Sequence, residues 1–322
     1  MKIAVCFFGL SRSLATTHES IARNVVEPCR RHGETMTLAH LYHQSHVHST
    51  RSGENAALDP DDYRMLDLDA VALRFTVPSH LAGLLEDMKP HGDAWDDGFS
   101  SLSNLLRQLY SLSAAVRMAQ LHDPDIVLFC RPDLIYHDSL EPVLEALVQK
   151  TGDMVALPDW HHWKGGYNDR FAVCRGMRAA RAYAERLSVV HDYVAAKHKA
   201  LHSERLLRFA LERAKIPTMV FPQRASRVRA GGLLVEEKFW KSKVSNLPYL
   251  QETLPEVSAT LPAEGGMARE GPAAFRSCSR RSRACVRRGF IRHGGGAGVR
   301  ASFGGNRQTP RGSRCALLPL LP

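Results

Sequence analysis

The sequence predicts an α/β fold: a single Rossmann-like domain whose mostly parallel central sheet is covered by helices. Three observations predict it. Short runs rich in Val, Ile, Phe and Ala alternate along the chain with longer helical segments, and strands separated by helices imply a parallel sheet covered on both faces. The run 126–130, IVLFC, is apolar at every position, as a fully buried strand requires. The segment 101–121 carries apolar residues at 102, 105, 106, 109, 112, 116 and 119, one wide stripe at helical spacing.

The elements follow in order. MKIAVCFFGLSRSLA has the outline of a short signal peptide, yet Val, Ile and Phe dominate it. Gly9 and Arg12 then follow where a strand-to-helix loop belongs, so 2–8 reads as a first core strand. A helix over 14–31 stops at His32-Gly33, a helix C-terminal signal. Strand 36–41 leads into a polar loop, 42–58, and Asp59-Pro60 opens a short helix as cap and first-turn proline. Next come strand 70–76, helix 79–88, a Gly/Asp/Trp loop 89–99, the long helix 101–121 and strand 126–130. Helix 140–149, strand 154–157, the aromatic loop DWHHWKGGYND (159–169) and strand 170–174 follow. Helices 177–199 and 203–214 and strand 218–221 complete the body. No run approaches the ~18 apolar residues of a membrane span.

The net charge of +10 is unevenly placed. Residues 264–322 hold 12 Arg, no Lys and two acidic residues, whereas the rest of the chain holds 31 basic and 31 acidic residues. The body is therefore balanced, and a polyanion-binding surface spread over it is excluded; no nucleic-acid partner is expected for it. Residues 1–250 are assigned to one domain, and 251–322 to a linker and an Arg/Gly-rich tail with too little apolar content to fold. The tail's composition is also that of GC-rich DNA read out of frame, and an RNA-binding arm is the other reading of it. The seven cysteines form no C-x-x-C pair. They read as small buried hydrophobes of a protein in a reducing, cytoplasmic setting.

Several constellations carry chemistry. In GLSRS (9–13), Gly9 and Arg12 offer backbone N–H groups and a guanidinium to a diphosphate, although short Gly/Ser loops are ordinary. In RPD (131–133), Pro132 keeps Arg131 extended and sets Asp133 just beyond the strand end. There Asp133 is a candidate ligand for Mg²⁺ or Mn²⁺ bridging phosphates, with Arg131 offsetting charge; an internal Arg–Asp pair closing a turn is the equal alternative. His40, His43, His46 and His48 lack interleaved Cys or acidic residues and read as a solvated loop rather than a zinc site. His161, His162 and Trp163, on a glycine-hinged loop, suit stacking on a sugar ring or simple packing. Asp169 is a candidate base. Glu204 sits in the first turn of a helix that Ser203 would cap. In RASRVRAGG (224–232), alternation puts Arg227 and Arg229 on one side, placed either to close over phosphates or as a solvated turn.

Taken in order, KIAVCFFGLSRS, LAHLYH, QLYSL, RPDLIY, GGYNDRFAVC, HSERLL and RVRA resemble a group of GT-A-like glycosyltransferases found in polysaccharide-building loci and in some large viruses. The resemblance covers about residues 1–235. It implies one nucleotide-sugar-binding domain that moves a sugar from a nucleotide-diphospho-sugar donor to a glycan or other hydroxyl acceptor. Gly9, Arg12, Arg131, Asp133, Arg227 and Arg229 would lie at the donor. Asp169 and Glu204 would face the acceptor as catalytic candidates, beside His161, His162 and Trp163. Asp133 stands where such enzymes keep an Asp-x-Asp metal motif, but position 131 is Arg, so direct charge neutralisation stands beside Mg²⁺ or Mn²⁺ use. A non-catalytic nucleotide- or glycan-binding relative of the same fold is the alternative.

Overall fold

Seven of the apolar runs assemble into one sheet. The computed structural model describes residues 1–49, 51–240 and 247–250 and the backbone of 316–317. In chain order the elements begin with β1 (Lys2–Leu10), α1 (Leu14–Ile21), a π-helical turn (Ala22–Val26), α2 (Glu27–His32), β2 (Glu34–Tyr42), β3 (His46–Ser49), β4 (Glu54–Ala57), β5 (Ala70–Arg74), α3 (Ser79–Met88) and α4 (Ser100–Gln120). They continue with β6 (Ile126–Cys130), β7 (Leu134–Tyr136), α5 (Glu141–Val148), β8 (Met154–Pro158), β9 (Ala172–Arg175), α6 (Met177–Ala184), α7 (Val190–Lys197), α8 (Ser203–Arg213), β10 (Thr218–Phe221) and β11 (Ala225–Arg227).

The sheet order is β10-β8-β9-β6-β1-β2-β5. All neighbours are parallel except β9, which runs antiparallel to both β6 and β8. The backbone of Ala316–Leu317 pairs in parallel with Ala70–Val71. The alternation of strand side chains divides the core in two. Ile3, Val5 and Phe7 pack with Leu14, Ile21, Val25 and the α5 leucines on one face. Ala4, Cys6 and Phe8 pack with Leu112, Ala115, Val116, Ala119 and residues of α6 and α8 on the other. The α/β class with a mostly parallel, helix-covered sheet is therefore as the sequence predicts.

Cys6, Cys29, Cys130 and Cys174 are free thiols buried in this core, and burial pushes the Cys130 thiol up to about 12, leaving it inert. Among the described residues no helix is long and apolar enough to cross a membrane. The expected unstructured tail lies outside the described residues, apart from the short backbone segment at 316–317.

Several local expectations are corrected. The loop 42–58 contains an antiparallel hairpin, β3 with β4. The helix expected over 177–199 is broken into α6 and α7 by a turn of 3-10 helix, Arg186–Val189, where Arg186 enters the core. His40 is no loop residue; it lies in β2 and is buried. Ser203 does not cap α8, whose cap position is His202.

Candidate functional site

The parallel register sets Phe7 opposite Cys130 and Phe8 opposite His40, so the loops leaving β1, β2 and β6 emerge along one sheet edge. Ligands bind at such carboxyl edges because the loops there are free to vary above a rigid sheet. Gly9 bends the end of β1 with φ +97, a conformation that a side chain resists. Its N–H donates to the Ser111 hydroxyl at 2.8 Å. That hydroxyl spends its single proton on the His40 carbonyl at 2.6 Å. His40 Nδ1, 3.0 Å from the same oxygen, must then carry hydrogen and donate. Helix α4 thus fixes the first loop through one serine.

The RPD turn is held just as firmly. Thr17, Ser20 and Asn24 recur at helical spacing on the buried side of α1 and the π turn. Thr17 donates to the Pro132 carbonyl at 2.7 Å, Ser20 accepts from the Tyr136 N–H at 3.2 Å, and Asn24 donates to the Tyr136 carbonyl at 2.5 Å. Strand β7 then pairs antiparallel with β11, and the Val228 N–H donates to the Asp133 carbonyl at 2.8 Å. This pairing brings the RVRA segment onto the same edge.

The charges form a ring. Asp133 is only 2% exposed; one of its oxygens accepts from Arg12 at 2.6 Å and from Arg131 at 2.7 Å, and the other accepts from Arg131 at 2.8 Å. Burial alone would raise its carboxyl, but the two guanidiniums outweigh that and hold it well below the usual carboxylate range. Arg12 also reaches Glu54 at 3.2 Å, and Glu54 takes Arg229 at 3.0 Å and the Ala230 N–H at 3.0 Å. Farther round, Glu237 pairs with Arg227 at 2.8 Å and Arg170 at 2.9 Å. Five arginines (12, 131, 170, 227, 229) thus meet three carboxylates (54, 133, 237), a surplus of two positive charges.

Asp169 lies beside this ring, close enough to Arg131 to interact electrostatically. It accepts a hydrogen bond from the Ser203 hydroxyl, and Arg186 Nη1 stands 3.8 Å away. Arg186 is fully buried over the Tyr183 ring, and its guanidinium nitrogens make no hydrogen bond among the described residues. Glu204 sits one residue beyond Ser203 and contacts His202 at 3.0 Å. The loop 163–169 reaches this helix start only because Gly166 has no side chain: a Cβ there would lie 2.1–2.3 Å from the Glu204 and Arg205 backbone. His161 and His162 are buried, and Trp163 is 53% exposed. Burial, with Arg170 adding repulsion, lowers His161 to about 4, so its ring is neutral near pH 7.

The residues present do not fit a divalent cation at Asp133. Its oxygens are taken by two guanidiniums, which would repel a metal as they attract phosphate. Among the described residues the one cluster with metal-like spacing is His32, Glu141 and Glu145, on α2 and α5, and Arg31 already chelates Glu141 there.

The chain is similar in structure to mouse xyloside xylosyltransferase 1 in its apo form, at 13% identity, with a TM-score of 0.35 over 69% of this chain and 85% of that one. A likeness that low carries no functional argument. No protein-family model matches the chain. No curated protein matches it either.

Structure thus gathers Gly9, Arg12, Arg131, Asp133, Arg227 and Arg229 at one edge, with Asp169 beside them. The sequence reading missed Glu54, Arg170, Arg186 and Glu237, and took Ser203 only for a helix cap. Arg170 carried a signal, since it adjoins Asp169 before a strand. Glu54 carried none, because Arg12 and Arg229 are remote from it in sequence, and Glu237 lies in a segment with no periodic pattern.

Proposed function

We propose that the chain is a glycosyltransferase that moves a sugar from a nucleotide-diphospho-sugar to a glycan or other hydroxyl acceptor. The observation that carries this reading is the arginine ring at the carboxyl edge of β1 and β6, with more guanidiniums than carboxylates to balance them. A diphosphate gains negative charge on its terminal oxygen as the bond to the sugar breaks. Cations already fixed around that oxygen lower the barrier, because they need no reorganisation at the moment of reaction. Arg12, Arg131 and Arg229 are assigned this task, with Gly9 allowing close approach of the backbone. Asp169 is assigned the proton of the acceptor hydroxyl, with Ser203 holding its carboxylate and the Arg186 charge close by. Glu204 is the alternative base. Trp163 offers an exposed ring to the acceptor, over a loop that His161 and His162 pack from beneath.

A second reading, nucleotide or glycan binding without turnover, is favoured by one observation: Asp133, Asp169 and Glu204 are all engaged by neighbouring side chains. Calorimetric titration of the full chain with UDP- and GDP-sugars, with and without Mn²⁺, tests both. Binding without metal is expected, weakened at least about tenfold in Arg131→Ala and Arg229→Ala. Binding by none of the donors, or unchanged binding in both variants, removes the proposal. Release of free nucleotide separates catalysis from binding alone.

A further inference from the structure

The segment 233–240 lies beside the ring as a strap whose apolar anchor is Phe239. Its backbone is tied at three points: Arg229 N–H to Leu233 carbonyl, Val235 N–H to Arg227 carbonyl, and His161 N–H to Trp240 carbonyl, at 2.8, 2.8 and 3.1 Å. Leu233, Leu234 and Trp240 are exposed, and so are Glu236 and Lys238. Two side chains point inward. Phe239 packs edge-on against Trp160, their ring centroids 5.1 Å apart. Glu237, whose side chain is 4% exposed, places one oxygen 2.8 Å from Arg227 Nε and 2.9 Å from Arg170 Nη1, and the other 3.5 Å from His161 Nδ1.

Arg170, which is largely stripped of water, and the partly exposed Arg227 lie close enough to repel one another. Glu237 offsets both. Burial alone would raise its carboxyl, but Arg170 and Arg227 hold it below the usual carboxylate range. His161 is neutral near pH 7 and adds no charge. One oxygen of the Glu237 carboxylate therefore bridges the pair of guanidiniums as a single phosphate oxygen would.

We propose that Arg170 and Arg227 form an anion subsite that Glu237 fills in the unliganded protein, and that a phosphate-bearing ligand enters by displacing Glu237 and loosening the strap. The displacement removes one negative charge from the ring, so its surplus of two positive charges becomes three as the anion arrives. The proposal deepens the nucleotide-sugar reading and rests on it for the ligand's identity, while the displacement itself needs only an anion.

Inorganic pyrophosphate is the probe. Binding to the full chain is followed by calorimetry, and strap release by the rate of tryptic cleavage after Lys238, with sodium chloride matched in ionic strength as control. Glu237→Gln keeps the side-chain shape and removes the charge. We expect pyrophosphate to speed cleavage after Lys238 in the wild type, and Glu237→Gln to bind pyrophosphate about tenfold more tightly, the scale of one lost like charge at a partly screened site. Affinity in Glu237→Gln equal to or weaker than wild type overturns the proposal, as does absence of pyrophosphate binding to either protein. Should the variant not fold, the wild-type cleavage rate decides alone, and no change with pyrophosphate overturns the displacement. Pyrophosphate release of the strap without donor binding or turnover would defeat the glycosyltransferase reading only. Donor turnover with an unmoved strap would defeat the displacement only.

Discussion

Asp133 is the residue at which two roles compete. A metal ligand needs a free lone pair facing solvent or phosphate, whereas an electrostatic clamp needs its oxygens committed to the protein. Asp133 is committed: Arg12 and Arg131 both hold it, and it is almost fully buried. Asp133→Asn keeps the shape but faces two buried guanidiniums with a neutral amide. Breaking a buried pair on one side costs about 3–5 kcal/mol, so a large drop in the urea midpoint is expected. The same account predicts that EDTA leaves the wild-type midpoint unchanged and that Mn²⁺ does not raise it. A midpoint lowered by EDTA, or an Asn variant as stable as wild type, would contradict the clamp.

At the scale of elements, the loop 163–169 and the start of α8 act as one unit. Tyr167 N–H donates to the Glu204 carbonyl at 3.0 Å, and Gly166 lies against the same backbone. Gly166→Ala must push two backbones apart, since neither the Glu204 carbonyl nor the Arg205 nitrogen can rotate away as a side chain would. The expected loss is about 1–3 kcal/mol of stability. On the proposed function, transfer should fall more than donor affinity does, because Asp169 and Ser203 lie on the two halves of this unit while the arginine ring does not. Urea unfolding, donor calorimetry and a transfer assay check this, and a variant that transfers normally would show that the approach is incidental.

Elements of this kind also mark the limit of what the sequence makes legible. β1, β6 and β10 announce themselves as apolar runs, and Gly9, Arg12, Arg131 and Asp133 follow from them as loops at strand ends. β7 and β11, three residues each, are too short to show a period, yet their pairing brings Arg227 and Arg229 to Asp133. The β3–β4 hairpin, HVHS with ENAA, is too polar to stand out from a loop, which hid Glu54. The break in 177–199 was hidden for another reason: helix propensity is local, whereas Arg186 is drawn inward by Tyr183 and Asp169.

For the whole molecule, pH is the variable that integrates these buried charges. His40 is buried in β2 and lies within reach of Arg117 and Arg74. Burial first, and those two cations second, lower its pKa from the ordinary 6.5 to about 4. The unfolded chain takes up this proton near pH 6.5 and the folded chain does not until near pH 4. Between those values the unfolded state holds more protons, so stability falls as pH falls. The fall from 6.5 to about 4 corresponds to roughly 3 kcal/mol once the pH is below both values. His161 is lowered in the same direction and adds to the slope. Asp133 acts later. Its folded pKa is depressed, so its contribution persists until the pH drops below the ordinary carboxylate range and is lost beneath it. Two stages of acid loss are therefore expected, the first from histidines between pH 6.5 and 4 and the second from carboxylates below that. Urea unfolding at pH 7.5, 6 and 5 should show stability decreasing at each step in the wild type. In His40→Gln the slope should be shallower but not absent, because His161 still titrates, and an identical slope in wild type and variant would refute the assignment to His40.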